Sequence, residues 1–569
     1  MEHRALATWV AEVESQTALE LSGQADEGAR DRQRRERSFS VLLVSVLTLF
    51  AVAVEGYHPY AEDGGLYMAG VKRLLDPTLY PHGTAFVLEP MRHSLFAPAV
   101  AGVVRLLRMT PDASLHRGLP IVLLALHLAS IWATLFAAWM LAARCWRGRT
   151  ARSGAVVLLA CWLALPIAGT ALLFMDAYAT ARSLSTPCMV LALAGALDMT
   201  ARSGLRAQNA MRRRRGFVLC AVSLALAAAM HPLMAAYALG ATLMLLAARS
   251  PNRTLRRCAT AALAASALAL AACLQAIAKP ESADTIRVAM TRSYWFPAQW
   301  RWYEMAGLAA PLLILAIEAW VAAARSNAHR NAEGWVTQSM QAEDVRRALA
   351  RMAIAVGATS CVIALLFARA VAATHLIARL QPLRTFHIVY LVMVLLLGAR
   401  LGERVLRQSA WRWAAAMLLL GGIMLATERS AFPNSNHLEL PGIAPRNPWA
   451  QAFLWVRDHT PKDALFALDA DYINAPGEDA QCFRAIAQRS ALPDYSKDGG
   501  EASIAPGLTA EWVRGQAAQQ GLSAPATTDA ERVSELLPLG VSWVVLKAGA
   551  TTRFDCPYGN AAVKVCRLP

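Results

Sequence analysis

The chain has 569 residues, of which 56% are hydrophobic and 17% charged, and its mean hydropathy is +0.34. A soluble protein of this length is normally close to a quarter charged, so the composition excludes an ordinary soluble fold. The net charge of +16 comes from arginine clusters between long apolar blocks, where they act as topology signals and contact anionic lipids. This distribution argues against nucleic acid as a partner.

The apolar blocks predict a polytopic α-helical membrane protein with about eleven membrane helices. Residues 1–38 are polar and basic, and the first apolar block then acts as an uncleaved signal anchor. Arginine-rich loops alternate with loops nearly free of positive charge, which places the N-terminus on the cytoplasmic side. The predicted spans are 39–56, 119–143, 153–175, 183–200, 216–230, 233–248, 257–278, 305–324, 350–375, 383–400 and 411–427.

The predicted membrane domain, residues 39–432, has two long outward loops, 57–118 and 279–304. The first begins with YHPYAEDGGLY, in which Glu62 and Asp63 are adjacent carboxylates near the membrane surface. Such a pair can act as a general base toward an acceptor, or bind a divalent cation such as Mg²⁺ or Mn²⁺. The alternative is the solvated first turn of a helix, where acidic residues are favoured.

Two further polar residues lie in turns that are predicted to face the outward side of the membrane. Asp176, in the run MDAYATARS, is a candidate catalytic residue, and its alternative is a surface ion pair with Arg182. His231 precedes Pro232 at a turn between two short apolar helices. It is either a residue of the same site or an interfacial hydrogen-bonding side chain.

The run ARLQPLRTFHIVY begins a late helix on the outward side and carries Arg379, Gln381, Arg384 and His387. An arginine at membrane depth is costly unless it is paired. A lipid phosphate suits the guanidinium fork, so these residues are candidates for substrate binding. Pairing with an acidic loop residue, or extension of the side chains to ordinary headgroups, explains the pattern equally well.

Residues 433–569 follow an odd number of spans and are therefore predicted to be a small extracytoplasmic α/β domain. NPWAQAFLWVRDHT has the pattern of an amphipathic helix, and ALFALD, SWVVLK and AVKVCRL have that of strands. Cys556 and Cys566 are spaced for a disulfide across a β-hairpin, worth roughly 3 kcal/mol in the entropic account. Two free thiols are equally compatible with the spacing, and Cys482 is a competing partner.

The sequence contains no P-loop, no GxGxxG after a strand, no HExxH and no serine nucleophile elbow, so ATP-driven transport and soluble-cofactor chemistry have no support. Two non-enzymatic functions remain open. One is a transporter or flippase of a lipid-linked intermediate, for which Glu318 and Arg369 are the charged positions inside helices. The other is an envelope scaffold protein whose C-terminal domain binds a partner.

Together, YHPYAEDGGLY, MDAYATARS, MHPL and LQPLRTFHIVY, followed by a C-terminal extracytoplasmic domain, resemble the GT-C superfamily of integral-membrane glycosyltransferases. The resemblance implies a multi-pass enzyme of a bacterial inner (plasma) membrane. It would transfer a sugar from a polyprenyl-phosphate donor to a glycan, lipid or protein acceptor. By this likeness Glu62 or Asp63 is the acceptor base, and Arg379 or Arg384 holds the carrier phosphate. Many family members have Asp-Asp or Asp-Glu where this chain has Glu-Asp-Gly-Gly, which leaves the identity of the base open.

Overall fold

The computed structural model describes residues 31, 34–201, 206–333 and 338–569, so most of the predicted segment 1–38 lies outside the described residues. Among the described α-helices of five or more residues, the first ten are α1 (Arg34–Glu55), α2 (Glu62–Leu75), α3 (Thr84–Leu88), α4 (Phe96–Leu106), α5 (Leu119–Cys145), α6 (Arg149–Cys161), α7 (Ala181–Met199), α8 (Arg206–Met230), α9 (Pro232–Ala248) and α10 (Arg253–Ile277). The remaining ten are α11 (Ala283–Met290), α12 (Trp302–Glu333), α13 (Gln338–Phe367), α14 (Phe386–Arg400), α15 (Ala410–Ala431), α16 (Pro448–His459), α17 (Phe483–Ala487), α18 (Lys497–Ile504), α19 (Thr509–Gln519) and α20 (Asp529–Leu536).

Within the described residues, seven helices are long and apolar enough to cross a membrane. They are α1, α5, α10, α12, α13, the helical stretch around α14, and α15. The chain is therefore a multi-pass membrane protein, whereas the predicted number of about eleven spans is not confirmed. Helices α6 and α9 have only 13 and 17 residues, fewer than the ~20 that a bilayer core requires.

The predicted helix 153–175 is wrong in its second half. Helix α6 ends at Cys161, and residues 162–180 form an irregular segment with an antiparallel bridge between Pro166 and Leu173. Proline cannot continue a helical hydrogen-bond ladder, and a Cβ at Gly169 would lie 2.7 Å from the Trp300 ring. Irregular backbone at membrane depth is tolerated where protein or a cavity surrounds it. The predicted span 350–375 is likewise too long, because α13 ends at Phe367.

The C-terminal sheet domain, residues 433–569, is built on five strands in the order β2-β1-β3-β5-β4. The strands are β1 (Leu465–Ala467), β2 (Ser490–Ala491), β3 (Trp543–Lys547), β4 (Asp555–Gly559) and β5 (Val563–Arg567). β1 pairs in parallel with β2 and β3, and β5 pairs antiparallel with β3 and β4. The three predicted strands and the amphipathic helix, α16, are present, whereas β2 and β4 were not predicted. A disulfide between Cys556 and Cys566 joins β4 to β5, and Cys482 is a free, buried thiol.

The sheet domain rests on one end of the helix bundle, which we call the site end. Lys72 of α2 donates a hydrogen bond of 2.6 Å to the carbonyl oxygen of Ala485 in α17. Arg292, in the loop after α11, donates to the carbonyl oxygens of Tyr495 and Ser496 at 2.7 and 2.6 Å. These bonds fix α17 and the start of α18 against the outward loops of the membrane domain. The sheet domain is thus positioned to contribute side chains to the site end.

Candidate functional site

A cavity of about 1130 Å³ lies at the site end, between the membrane helices and the sheet domain. We call it the site cavity. Its walls come from α2, segment 162–180, the turn between α8 and α9, the residues before α14, the end of α15, and α18. The predicted site residues that line it are Glu62, Asp63, Asp176, His231, Arg379, Gln381 and Arg384.

The two adjacent carboxylates share one lysine from the sheet domain. Lys497 donates a hydrogen bond of 3.0 Å to Oδ1 of Asp63 and contacts Oε2 of Glu62. Burial by itself would raise the pKa of Asp63, but the charges of Lys497 and Arg182 outweigh it and hold that pKa well below its usual value. The negative charges of Asp63 and Glu62 raise the pKa of Lys497, although burial by itself would lower it. Asp63 is therefore ionised, and its charge is held in a fixed place.

Lys497 was not predicted as a site residue. It is the first residue of α18, where the helix dipole opposes a positive charge. The carboxylates of Glu62 and Asp63 compensate for this unfavourable interaction with the helix dipole. Within the sheet domain, Asp498 anchors α18 through a buried ion pair with Arg484, whose nitrogen lies 2.6 Å from the carboxylate. The lysine is consequently positioned by contacts on both sides of the domain boundary.

The glycines after the acidic pair allow other segments to approach α2 closely. A Cβ on Gly64 would lie 2.9 Å from the Tyr178 side chain, and one on Gly65 would lie 2.1 Å from the Cβ of Cys482. The sequence EDGG therefore combines two charged groups with two positions at which only hydrogen fits. This brings segment 162–180 and the sheet domain against the start of α2.

Replacing Gly65 with alanine is expected to lower the free energy of unfolding by about 1–3 kcal/mol, because the added methyl group overpacks a closed contact. Gly102 on α4 has nothing within 4 Å of its Cβ position, so Gly102→Ala is the matched control. Thermal unfolding of the purified variants, followed by tryptophan fluorescence, measures the difference. Equal midpoints for the two variants would contradict the close contact at Gly65.

Asp176 forms an ion pair with Arg182, but the pair is buried and does not lie on the surface. The two side chains are only 6% and 8% exposed. Burial raises the pKa of Asp176 even though the charge of Arg182 opposes it. Nε of Arg182 is buried and has no hydrogen-bond partner among the described residues. Arg182 can therefore bind a further acceptor in the site cavity.

The two arginines before α14 differ in their partners. Arg379 forms an ion pair of 2.8 Å with Glu281 and donates to the carbonyl oxygen of Ser503 at 2.7 Å. In the part of the chain that the structure describes, the Arg384 guanidinium has neither a hydrogen-bond nor an ion-pair partner. Both arginines line the cavity, and Arg384 is the one whose charge is available to an anion.

The remaining predicted residues take separate positions. His231 lines the cavity, and its Nδ1 accepts a weak 3.4 Å bond from the backbone of Met234, which caps α9. His387 does not line the cavity: its Nε2 lies 3.0 Å from the carbonyl oxygen of Phe174, behind segment 162–180. His387 holds the wall of the cavity from behind. Its position therefore gives no support to the prediction that it contacts substrate.

Backbone strain is concentrated around the cavity. Ten described residues other than glycine have positive φ, and four of them line the site cavity: Glu62, Ala168, Ala171 and Gln381. Such conformations cost of order 1–3 kcal/mol each and persist where function or the surrounding structure requires them. The Oε1 atom of Gln381 is also buried without a hydrogen-bond partner among the described residues. These features favour this cavity as the candidate functional site.

Glu501 is a second residue of α18 that sequence reasoning missed. It lies one turn after Lys497, on the same face of the helix, and lines the cavity. Burial, followed by the negative charges of Asp63 and Asp498, raises the pKa of Glu501 to about 8. The carboxyl group therefore changes protonation near neutral pH, as a general base or acid requires. Its spacing of four from Lys497 is visible in the sequence, but the docking of α18 on the membrane domain is not.

The predicted divalent cation does not fit the acidic pair in this arrangement. The ammonium group of Lys497 already contacts both carboxylates. A cation at Glu62 and Asp63 would have to displace it. Across the described ranges, no group of three or more His, Cys, Asp or Glu side chains is arranged to hold a metal ion.

No family model and no curated protein matches the chain. Among solved structures, the chain is similar to the archaeal oligosaccharyltransferase AglB from Archaeoglobus fulgidus, solved in complex with an inhibitory peptide and a dolichol-phosphate. The match covers 90% of this chain and 70% of AglB, with 12% sequence identity and a TM-score of 0.45. At this identity and TM-score the similarity carries no functional argument, and the functional case depends on the residues of this chain.

Proposed function

We propose that this chain is a membrane glycosyltransferase that transfers a sugar from a polyprenyl-phosphate-linked donor to an acceptor. The observation that carries the proposal is that Asp63, Glu501 and Arg384 line one cavity. A carboxylate with a fixed charge, a carboxyl group that titrates near neutral pH and an available guanidinium are the groups this transfer needs.

We also propose that the site cavity faces the extracytoplasmic side of a bacterial inner membrane. At the opposite end of the bundle, which we call the basic end, Arg144 binds Asp198, and Arg149 binds Glu36 at 2.6 Å. The arginine-rich loops converge on this basic end, and such loops are retained on the cytoplasmic side. The sheet domain and the site cavity then lie on the other face.

The chemistry follows from the placement of the charges. The acceptor loses its O–H or N–H proton to a carboxylate as it forms a bond to the anomeric carbon. The bond between that carbon and the carrier phosphate breaks, and its electron pair remains on the phosphate oxygen. Arg384 stabilises this developing negative charge. Apolar residues of the cavity wall, such as Leu172, Leu233 and Ile504, suit the first units of the prenyl chain.

Glu501 fits the role of general base better than Asp63. A base works best when its pKa is near the working pH, and the pKa of Glu501 is raised to about 8. Asp63 is ionised but weakly basic, because Lys497 and Arg182 hold its pKa low. We assign Asp63 and Glu62 to orientation of the acceptor and to stabilisation of positive charge on the sugar in the transition state.

The transporter alternative is not favoured. Glu318 forms a 2.5 Å ion pair with Arg400 and lies in a small polar cavity beside Trp146, at the basic end. Arg369 is exposed just after the end of α13. These two positions do not line a shared path through the bundle. The scaffold alternative does not explain why the sheet domain supplies Lys497 and Glu501 to the cavity.

The test is a comparison of glycan and glycolipid profiles from cells that carry the double variant Glu62→Gln/Asp63→Asn. We expect these profiles to match those of a deletion strain. Asp112→Asn, in the same loop and 88% exposed, is the matched control and is expected to leave the profile intact. A wild-type profile from cells that express the folded double variant would contradict the proposal.

Sugar transfer is expected to continue after treatment of the purified protein with EDTA, because Lys497 supplies the positive charge at the acidic pair. The measurement is the initial rate before and after chelation, at constant ionic strength. Loss of activity that Mg²⁺ or Mn²⁺ restores would contradict this account and would return the acidic pair to a metal-binding role.

A further inference from the structure

A second cavity, of about 730 Å³, lies at the basic end of the bundle. We call it the arginine cavity. Helix α9 runs between the two cavities, from His231 in the site cavity to Arg249 in the arginine cavity. At 1.5 Å per residue the two are about 25 Å apart. The arginines that line the second cavity are Arg144, Arg147, Arg212, Arg249, Arg253, Arg256, Arg347 and Arg351.

The described carboxylates do not balance this charge. Asp198 is shared by Arg144, whose Nε lies at 3.0 Å, and Arg212, whose Nη2 lies at 2.9 Å. Asp344 lies 3.7 Å from Arg347. Setting aside Arg147 and Arg249, which have further interactions, two carboxylates of the described part of the chain face six guanidinium groups. The cavity carries an excess of positive charge in a concave space.

Orientation in the membrane does not require this convergence. Basic loops fix the topology of a membrane protein wherever they lie on the cytoplasmic side. Here the loops also converge on Arg347 and Arg351, two arginines that lie within helix α13 and not in a loop. Arg347 and Arg351 are one turn apart on that helix, an arrangement of like charges that destabilises a helix. Nε of Arg347 is buried and has no hydrogen-bond partner among the described residues. An anion bound in the cavity would compensate for both features.

We propose that the arginine cavity binds a phosphate-bearing polyanion. Arginine forks bind phosphate through paired, charge-assisted hydrogen bonds, and basic pockets between membrane helices bind acidic lipid headgroups on the cytoplasmic side. On the orientation proposed above, the cavity lies on the cytoplasmic side, where the end of α5, the start of α10 and the N-terminal part of α13 meet, and these three helices are long enough to cross a membrane. This position favours the headgroup of a phospholipid with two phosphates over a soluble phosphate.

The test uses the full chain in detergent micelles and three probes: diphosphatidylglycerol, phosphatidylcholine and sodium pyrophosphate. Binding is measured by native mass spectrometry and by the shift in the unfolding midpoint. The triple variant Arg253→Gln/Arg256→Gln/Arg351→Gln removes three charges from the cavity. Its matched control is Arg213→Gln/Arg214→Gln/Arg215→Gln, three exposed arginines at the same end that do not line the cavity.

Diphosphatidylglycerol is expected to bind the wild type and to bind the cavity triple variant roughly 100-fold more weakly, with little change in the control. The single variant Arg351→Gln, less demanding for folding, is expected to weaken binding about fivefold. Pyrophosphate binding that depends on the same arginines, without lipid binding, would support the polyanion site and assign it to a soluble ligand. Equal weakening in both triple variants, or equal binding of phosphatidylcholine, would overturn the proposal.

Discussion

Replacing Arg384 with glutamine is expected to lower the rate of sugar transfer by about 10³-fold, because it removes the charge that stabilises the leaving phosphate. In the described part of the chain this guanidinium has no ion-pair or hydrogen-bond partner, so the substitution breaks no bond of either kind. The substitution should therefore separate catalysis from folding. The measurement is kcat/KM for donor consumption, together with the unfolding midpoint.

The matched control for this experiment is Arg287→Gln. Arg287 lies on α11, at the same end of the molecule, and is 64% exposed. The rate of sugar transfer by the Arg287→Gln variant is expected to equal that of the wild type within about twofold, because exposed ion pairs contribute little to stability. A similar rate in Arg287→Gln and Arg384→Gln would remove Arg384 from the mechanism.

Replacing Glu501 with glutamine is expected to lower the rate by about 10²–10⁴-fold, the usual contribution of a general base. The pKa of Glu501 is raised to about 8, so the wild-type rate should rise with pH as this carboxyl group loses its proton, and reach a plateau above that value. The residual rate of Glu501→Gln should lack this rise. Rates measured across pH 6 to 9.5 test both statements.

Glu535, an exposed residue of α20, provides the control for the loss of a carboxylate from the sheet domain. Glu535→Gln is expected to keep both the rate and the pH profile of the wild type. If Glu501→Gln loses rate but keeps the wild-type pH profile, Glu501 positions other groups and the base is a different residue.

The sequence allowed prediction of the polar and charged residues on the membrane side of the site. Glu62, Asp63, Asp176, His231 and Arg384 interrupt apolar surroundings at helix ends, where such residues are costly and therefore conspicuous. The structure gathers all five around one cavity. Their catalytic and binding roles remain predictions.

The residues that α18 supplies were not predictable in the same way. Lys497 and Glu501 lie on an eight-residue helix within a domain of ordinary composition, where charged residues usually form a solvated face. Their importance depends on the docking of the sheet domain against α2. That docking rests on long-range contacts such as Lys72 with Ala485 and Arg292 with Ser496, which leave no periodic pattern in the sequence.

The failed helix prediction has a related cause. Residues 153–175 are apolar throughout, so hydropathy alone favours a continuous span. The backbone leaves the helix after Cys161 because Pro166 and the close contact of Gly169 with Trp300 favour a turn, and because the surrounding helices enclose it. The irregular segment then presents Asp176 and Tyr178 to the acidic pair.

The most direct test of the central claim is sugar transfer by the purified chain from synthetic polyprenyl-phosphate monosaccharides. The release of polyprenyl phosphate is followed by mass spectrometry in the presence of membrane extract as the source of acceptor. We predict that the wild type releases the carrier from at least one of these donors, and that Asp63→Asn, which removes the charge that stabilises the transition state, does so at least about 10²-fold more slowly. Equal release by the two folded proteins would contradict the account.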